Sequence, residues 1–178
     1  RMKITFLGGG NMANALIGGM LKQGFAAADI TVIDPGSAAR DKLERTYAVN
    51  CQETGEMLDN VGDLLVLAVK PQQMKDAVAP LVGKLGNAVV VSIAAGLDLA
   101  TLARFLGGHR KIVRCMPNTP ALIGAGITGL CPLPEVNAAE REAADCVLSA
   151  VGSTVWIDDE GRMDGVTALS GSGPAYVF

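Results

Sequence analysis

The chain has 178 residues and a mass of 18.3 kDa, enough for one ordinary domain with a sizeable core, or one domain and the beginning of another, and too little for two large domains. With 15 Lys and Arg against 18 Asp and Glu, a net charge of −3 and a pI near 5.1, it offers neither nucleic acid nor an anionic membrane an electrostatic reason to bind. A composition 49% hydrophobic but only 4% aromatic calls for a core of Val, Leu, Ile, Ala and Met, suits a buried parallel sheet under small-residue helices, and argues against disorder.

Short β-rich runs alternate with longer segments of helical period. "KITFL" (3–7) reads as a strand, and the stretch from Asn11 to about Gln23 as a helix ended by Gly24. "DITVID" (29–34) is a second strand, followed by the charged helix "SAARDKLERTY" (37–47). "DLLVLAVKP" (63–71) is almost wholly apolar, as a central strand covered on both faces should be, and Pro71 halts it. "NAVVVSIAAG" (87–96) repeats that pattern. A helix near Leu99 to Leu106, a strand "KIVRCMP" (111–117) and a loop "NTPALIGAGIT" (118–128) follow. "NAAEREAADCVLSAV" (137–151) is an amphipathic helix with Asn137 as N-cap and Glu140 at its third position, and "STVWID" (153–158) closes the sheet. Strands separated by helix-length segments pair in parallel through right-handed crossovers, so the expected fold is α/β: a doubly wound, mostly parallel sheet with helices on both faces.

Cys51, Cys115, Cys131 and Cys146 form no CxxC pair and have no His at ligand spacing, so no metal site is expected and the thiols read as buried and free, in a reducing compartment. The single His109, in "GGHRK", reads as a solvated loop residue. No secretory leader or unbroken apolar run of membrane-spanning length appears, so a cytoplasmic location without membrane partners is expected.

The chemistry concentrates in "FLGGGNMANALIGG" (6–19). Gly8, Gly10 and Ala13 match G-x-G-x-x-G/A between the first strand and the first helix, and Asp34 ends the second strand about twenty residues further on. In that setting Gly8 allows the tight turn, Gly10 lets the backbone approach a pyrophosphate, and Ala13 lets the helix lie close on the strand. The helix N-terminus adds N–H groups and partial positive charge. A dinucleotide is therefore the expected ligand. An Asp34 carboxylate facing the adenosine ribose would favour NAD, whereas Ser37 and Arg40 at the start of the next helix could hold the 2′-phosphate of NADP; Asp34 could also simply cap a turn with Pro35 and Gly36. Both cofactors stay open.

"AVKP" (68–71), "IAAG" (93–96) and "MPNTP" (116–120) all end strands with small or polar residues, so their loops should converge on one crevice at the C-terminal edge of the sheet. Pro71 and Pro120 also serve as strand stops, and Lys70 as a solvated strand-end charge. Asn118, between two prolines, is placed to present an amide to a ligand.

Taken together, "FLGGGNMANALIGG", "LAVKPQQM", "VVSIAAGL", "RCMPNTPALIGAG" and "LSGSGPAYVF" resemble the pyrroline-5-carboxylate reductase family essentially from end to end. The resemblance implies reduction of the cyclic imine 1-pyrroline-5-carboxylate to L-proline, the last step of proline biosynthesis, by hydride from NADPH or NADH. It assigns Leu7, Gly8, Gly9, Gly10, Asn11 and Met12 to the pyrophosphate turn, and Ala68, Val69, Lys70 and Pro71 with Ile93, Ala94 and Ala95 to the nicotinamide half. With Asp34 and Ser37 these make up the expected cofactor site. Asn118 falls on the substrate side, and no catalytic acid or base is assigned. A protonated C=N is already electrophilic, so orientation matters more than a strong acid.

Members of that family continue past "LSGSGPAYVF" into an all-helical second domain that forms a dimer. Here residues 1–162 are expected to form the dinucleotide-binding domain and 163–178 the first helix of a truncated dimerisation domain, with a full-length protein that is a homodimer or larger and a fragment that turns over poorly by itself. The alternatives are a dehydrogenase of the β-hydroxyacid or prephenate type, and a sensor that binds NAD(P) without chemistry.

Overall fold

The computed structural model describes residues 1–163. In chain order these contain β1 (Ile4–Leu7), α1 (Asn11–Lys22), β2 (Ile30–Ile33), α2 (Ser37–Tyr47), β3 (Asn50–Gln52), β4 (Leu64–Leu67), α3 (Met74–Val78), β5 (Val89–Ser92), α4 (Leu99–Phe105), β6 (Ile112–Met116), β7 (Gly126–Pro132), α5 (Ala138–Leu148) and β8 (Gly152–Trp156), with short 3-10 turns between them. The described strands form one sheet in the order β3-β2-β1-β4-β5-β6-β7-β8. β1 pairs in parallel with β2 on one side and β4 on the other, Ile4 facing Ile30 and Leu64. The chain winds outward in both directions from that centre, and the crevice belongs where the winding reverses, at the C-terminal ends of β1 and β4.

Strand alternation sorts the core into two layers. Ile4, Phe6, Leu64, Val66, Val89 and Val91 face one side, against Leu16, Ile17 and Met20 of α1, Leu43 of α2 and Val147 and Leu148 of α5. Leu65, Leu67 and Val90 face the other, against Met74 and Val78 of α3 and Leu99 and Leu102 of α4. Each such side chain, removed from water, contributes about 1.5–3 kcal/mol, so the two layers hold the sheet from both faces. Thr5, buried among them, gives its hydroxyl proton to the Val61 carbonyl at 2.7 Å.

The pair Gly18–Gly19 inside α1 costs helix propensity, and packing explains it. A Cβ on Gly19 would overlap the Ala150 carbonyl oxygen in the turn after α5, so α1 lies almost backbone to backbone on that turn. The sequence-read capping box on α5 is present: the Asn137 side chain accepts from Glu140 N at 2.8 Å, and the Glu140 carboxylate from Asn137 N at 2.9 Å.

Two strands depart from the sequence reading. The stretch 118–128, expected to be a loop, is a 3-10 turn at Thr119–Ile123 followed by β7, which runs antiparallel to β6 with Cys115 opposite Leu130. Gly126 and Gly129 disguise this strand, and pairing on both edges, with β6 and with β8, supplies the order its composition lacks. β3 is a three-residue strand, too short for alternation to show. β4 and β5 stop at Leu67 and Ser92, short of the predicted ends, so 68–71 and 93–96 are loops. Of the thiols, Cys115 and Cys131 are buried, but Cys51 is half-buried and Cys146 exposed; all four are free. Burial pushes the Cys51 thiol up to about 11. His109 is not wholly in solvent, its Nε2 lying 2.8 Å from the Ala88 carbonyl oxygen.

Beyond β8, Glu160 accepts from Leu99 N at the start of α4 (2.7 Å) and from the Arg114 guanidinium (2.9 Å), tying residues 158–163 onto the sheet. Apart from Met163, the expected helix at 163–178 lies outside the described residues. Among the described residues no helix is long and apolar enough to cross a membrane, and no three His, Cys, Asp or Glu gather as metal ligands would.

Candidate functional site

β1 delivers Leu7 and then Gly8, whose φ of +104° turns the chain away from the sheet; Gly8 N is held by the Ile33 carbonyl at 2.8 Å. A Cβ on Gly8 would lie 2.6 Å from the Ala68 carbonyl oxygen and 3.1 Å from Val69 Cγ1, so the turn presses directly on the loop after β4. Gly9 is buried, and a Cβ there would come within 2.7 Å of Leu43 on α2. Gly10 is exposed, with nothing within 4 Å of where a Cβ would stand. The three glycines thus do different work: one bends, one fits under α2, and one leaves open space at the helix start.

That helix start is uncapped. No side chain accepts from the first turn of α1, which holds no acidic residue. α4 and α5 are capped by Asp98 and by Asn137 with Glu140. α2, which begins beside the same crevice, is uncapped as well. The short α3 has no side-chain cap either, so the missing cap is not by itself diagnostic; what sets α1 and α2 apart is that both open beside the glycine turn, where their orphan N–H groups and positive helix ends can meet an anion.

Asp34 joins the two turns. Its Oδ2 accepts from Gly9 N and its Oδ1 from Gly36 N, both at 2.8 Å, and Arg40 donates to its backbone carbonyl at 2.8 Å. Of the sequence readings for Asp34, capping the Pro35–Gly36 turn is therefore realised. Ser37 is exposed at the first position of α2.

A cavity of ≈300 Å³ brings the remaining loops together: Met12 from α1, Ile93 and Ala95 after β5, and Met116, Pro117 and Asn118 after β6 all line it. Its wall is mostly apolar, suited to the face of a flat ring. Ala94, between two lining residues, turns inward and packs in the core at 5% exposure. Lys70 is exposed and Pro71 starts a 3-10 turn; neither lines this cavity. Asn118 is 7% exposed, and its side-chain oxygen accepts from Ile127 N at 3.0 Å, so this half of the amide fixes the start of β7. Larger clefts of ≈430 Å³ beside Arg1 and Phe25 and ≈350 Å³ beside Lys3 and Asn50 lie at the opposite edge of the sheet, away from the uncapped turns.

Sequence reasoning missed Asn14. Its side-chain amide donates to the Gly9 and Gly10 carbonyls at 3.0 and 2.9 Å, and its backbone carbonyl accepts from the Tyr47 hydroxyl at 3.3 Å. The signal was an amide side chain four residues after Gly10, one helical turn on.

A family model described as "NADP oxidoreductase coenzyme F420-dependent" matches residues 3–96. The chain is 48% identical, over 99% of its length, to a pyrroline-5-carboxylate reductase of Pseudomonas aeruginosa, of which it covers 65%. Among solved structures it is similar to a pyrroline-5-carboxylate reductase from Coxiella burnetii, with a TM-score of 0.91 and 35% identity over 98% of this chain and 66% of that one. It is also similar to the Plasmodium falciparum enzyme crystallised with NADP bound, with a TM-score of 0.83 and 29% identity over 99% of this chain and 64% of that one. The chain spans about 65% of the length of the curated relatives it matches.

Proposed function

This chain belongs to the NADP oxidoreductase, coenzyme F420-dependent, family, and from that premise we propose that it is the cofactor-binding part of a pyrroline-5-carboxylate reductase, which reduces 1-pyrroline-5-carboxylate to L-proline with NAD(P)H. The observation that carries the reading is the glycine turn left open at Gly10 before the uncapped start of α1, joined through Asp34 to the uncapped start of α2.

The open space at Gly10 and the N–H groups of Asn11 and Met12 fit a pyrophosphate. Asn14 satisfies the Gly9 and Gly10 carbonyls beside it. Ala68 and Val69, pressed against Gly8, continue the same edge toward the cavity walled by Ile93, Ala95 and Met116, which is apolar enough to take the nicotinamide. When bound there, the dihydronicotinamide supplies a hydride to C5 of the imine. The chain's own task is then orientation: the apolar wall would pack one face of the ring and leave the other to the substrate, on the side where Asn118 lies, whose NH₂ group is the half of the amide not used to hold β7. Domain organisation is read as a cofactor domain over 1–162 with 163–178 opening a second domain. The full-length protein is read as a homodimer or larger, supported by Leu122, Ile123 and Ile127, which expose apolar surface beside the cavity.

The test is turnover by these residues within a protein of the relatives' full length. NADPH or NADH consumption that depends on 1-pyrroline-5-carboxylate and yields proline supports the proposal. Oxidation of a β-hydroxy acid without imine reduction points to the dehydrogenase alternative, and tight binding without turnover to a sensor.

A further inference from the structure

The acidic residue that ends the second strand of a dinucleotide fold is ordinarily read as the one that selects the cofactor, by accepting hydrogen bonds from the adenosine ribose. In this chain the Asp34 carboxylate is already committed. One oxygen holds Gly9 N, inside the glycine turn, and the other holds Gly36 N, in the turn that opens α2. Around it, Gly8 N is bonded to Ile33 O and Asp34 N to Gln52 O, so backbone bonds fix both ends of the bridge. Arg40 reaches back to the Asp34 carbonyl rather than to its carboxylate. We infer that Asp34 is a positioning residue: it sets the glycine turn and the start of α2 at one fixed separation, and acts on any bound dinucleotide through Gly9 rather than by reading the ribose.

Three observations support this. Gly9 is buried with Leu43 and Val32 close on its Cα side, where a Cβ would lie 2.7 and 3.3 Å from them, and its N–H is given to Asp34. A charged acceptor shared by two backbone donors is among the stronger hydrogen-bond arrangements available to a half-buried site. Gly10, next in the chain, is the residue with open space in front of it, so an error in Gly9 becomes an error in the phosphate-facing N–H groups.

This inference rests on the reading of the turn as a dinucleotide site. Its consequence is that loss of the carboxylate weakens NADH and NADPH together, whereas a ribose reader would weaken NADH and spare or favour NADPH. The experiment measures Kd for both cofactors on the parent chain, Asp34→Asn and Asp34→Ala, with thermal melting and amide hydrogen exchange at Gly9 alongside. For Asp34→Ala we expect Kd to rise by about tenfold or more for both cofactors, with their ratio held within about threefold, and faster exchange at Gly9. Asn keeps one acceptor and should fall between the parent and Ala. A purely structural role would lower the melting temperature without the graded cofactor effect, and overturns the inference. So do a selective loss of NADH, unchanged affinities, or a Gly9 amide as exchangeable in the parent as in the variants. A parent that binds neither cofactor overturns the underlying reading itself, a result distinguishable from the others before any variant is made.

Discussion

Gly8 and Gly10 are two residues apart and respond to substitution in opposite ways. Gly8 has φ +104° and sits against the Ala68 carbonyl, so Gly8→Ala strains the backbone and forces β1 from β4; stability should fall by about 2 kcal/mol or more in urea unfolding. Gly10 has φ −78° and ψ −163°, an extended conformation a β-branched residue adopts readily, with no protein atom within 4 Å of the added Cβ. Gly10→Val should leave the melting temperature within about 3 °C of the parent yet weaken both cofactors by about 100-fold, because the side chain occupies the place of the pyrophosphate. Calorimetric unfolding and titration on the two variants separate these roles; equal effects on stability would contradict the division. This much was legible in the sequence, since a glycine fingerprint between strand and helix fixes the type of turn. The role of Asn14 was not, because its meaning depends on which carbonyls the turn directs at it. Asn118 illustrates a different shortfall: two flanking prolines suggested a stiff loop presenting an amide, and the fold directs the amide oxygen inward to Ile127.

Between elements, the Asp145 carboxylate of α5 gathers Thr154 Oγ1 at 2.6 Å, Ser149 Oγ at 3.0 Å and Trp156 Nε1 at 3.3 Å, fastening α5 to β8. Burial would raise its pKa, but the hydrogen bonds from Thr154, Ser149 and Trp156 together outweigh that and hold it below the usual carboxylate range. A depressed carboxyl contributes stability above its unfolded value of about 4, and that contribution disappears as pH falls through the folded value. Asp145→Asn should therefore be less stable than the parent by about 1–2 kcal/mol at pH 7, and the gap should start to close only once the pH falls below about 4. A gap that stays constant with pH would show that the ionised carboxylate is not the cause.

The Arg114–Glu160 pair is a second fastening. Arg114 is 11% exposed, and Glu160 also caps Leu99 N, so Glu160→Ala strands a buried guanidinium. We expect a loss of about 2 kcal/mol or more, largely restored when Arg114→Met is added, as read from a double-mutant cycle of chemical unfolding. Elements of strong period were legible: α2 runs over the sequence-read residues, and the Asn137–Glu140 box starts α5 as expected. β7 was hidden, because what makes it a strand is pairing to β6 and β8 rather than its own glycine-bearing composition.

For the whole molecule, an apolar, aromatic-poor chain with strands spaced by helix lengths has few ways to bury its surface other than a doubly wound sheet, and the order β3-β2-β1-β4-β5-β6 follows. The antiparallel β7 departs from pure winding and shapes the site, since the 3-10 turn it closes carries Leu122 and, with Asn118, walls the cavity across from Met12. The same sheet edge that joins the phosphate turn to the apolar cavity also leaves helix starts unsatisfied, and these features together make the functional proposal specific. The most direct measurement is calorimetric titration of this chain with NADPH and with NADH, run beside Gly10→Val. We expect saturable, one-to-one binding of at least one cofactor by the parent and its loss in the variant; parent binding to neither, or equal binding by both proteins, would contradict the dinucleotide site.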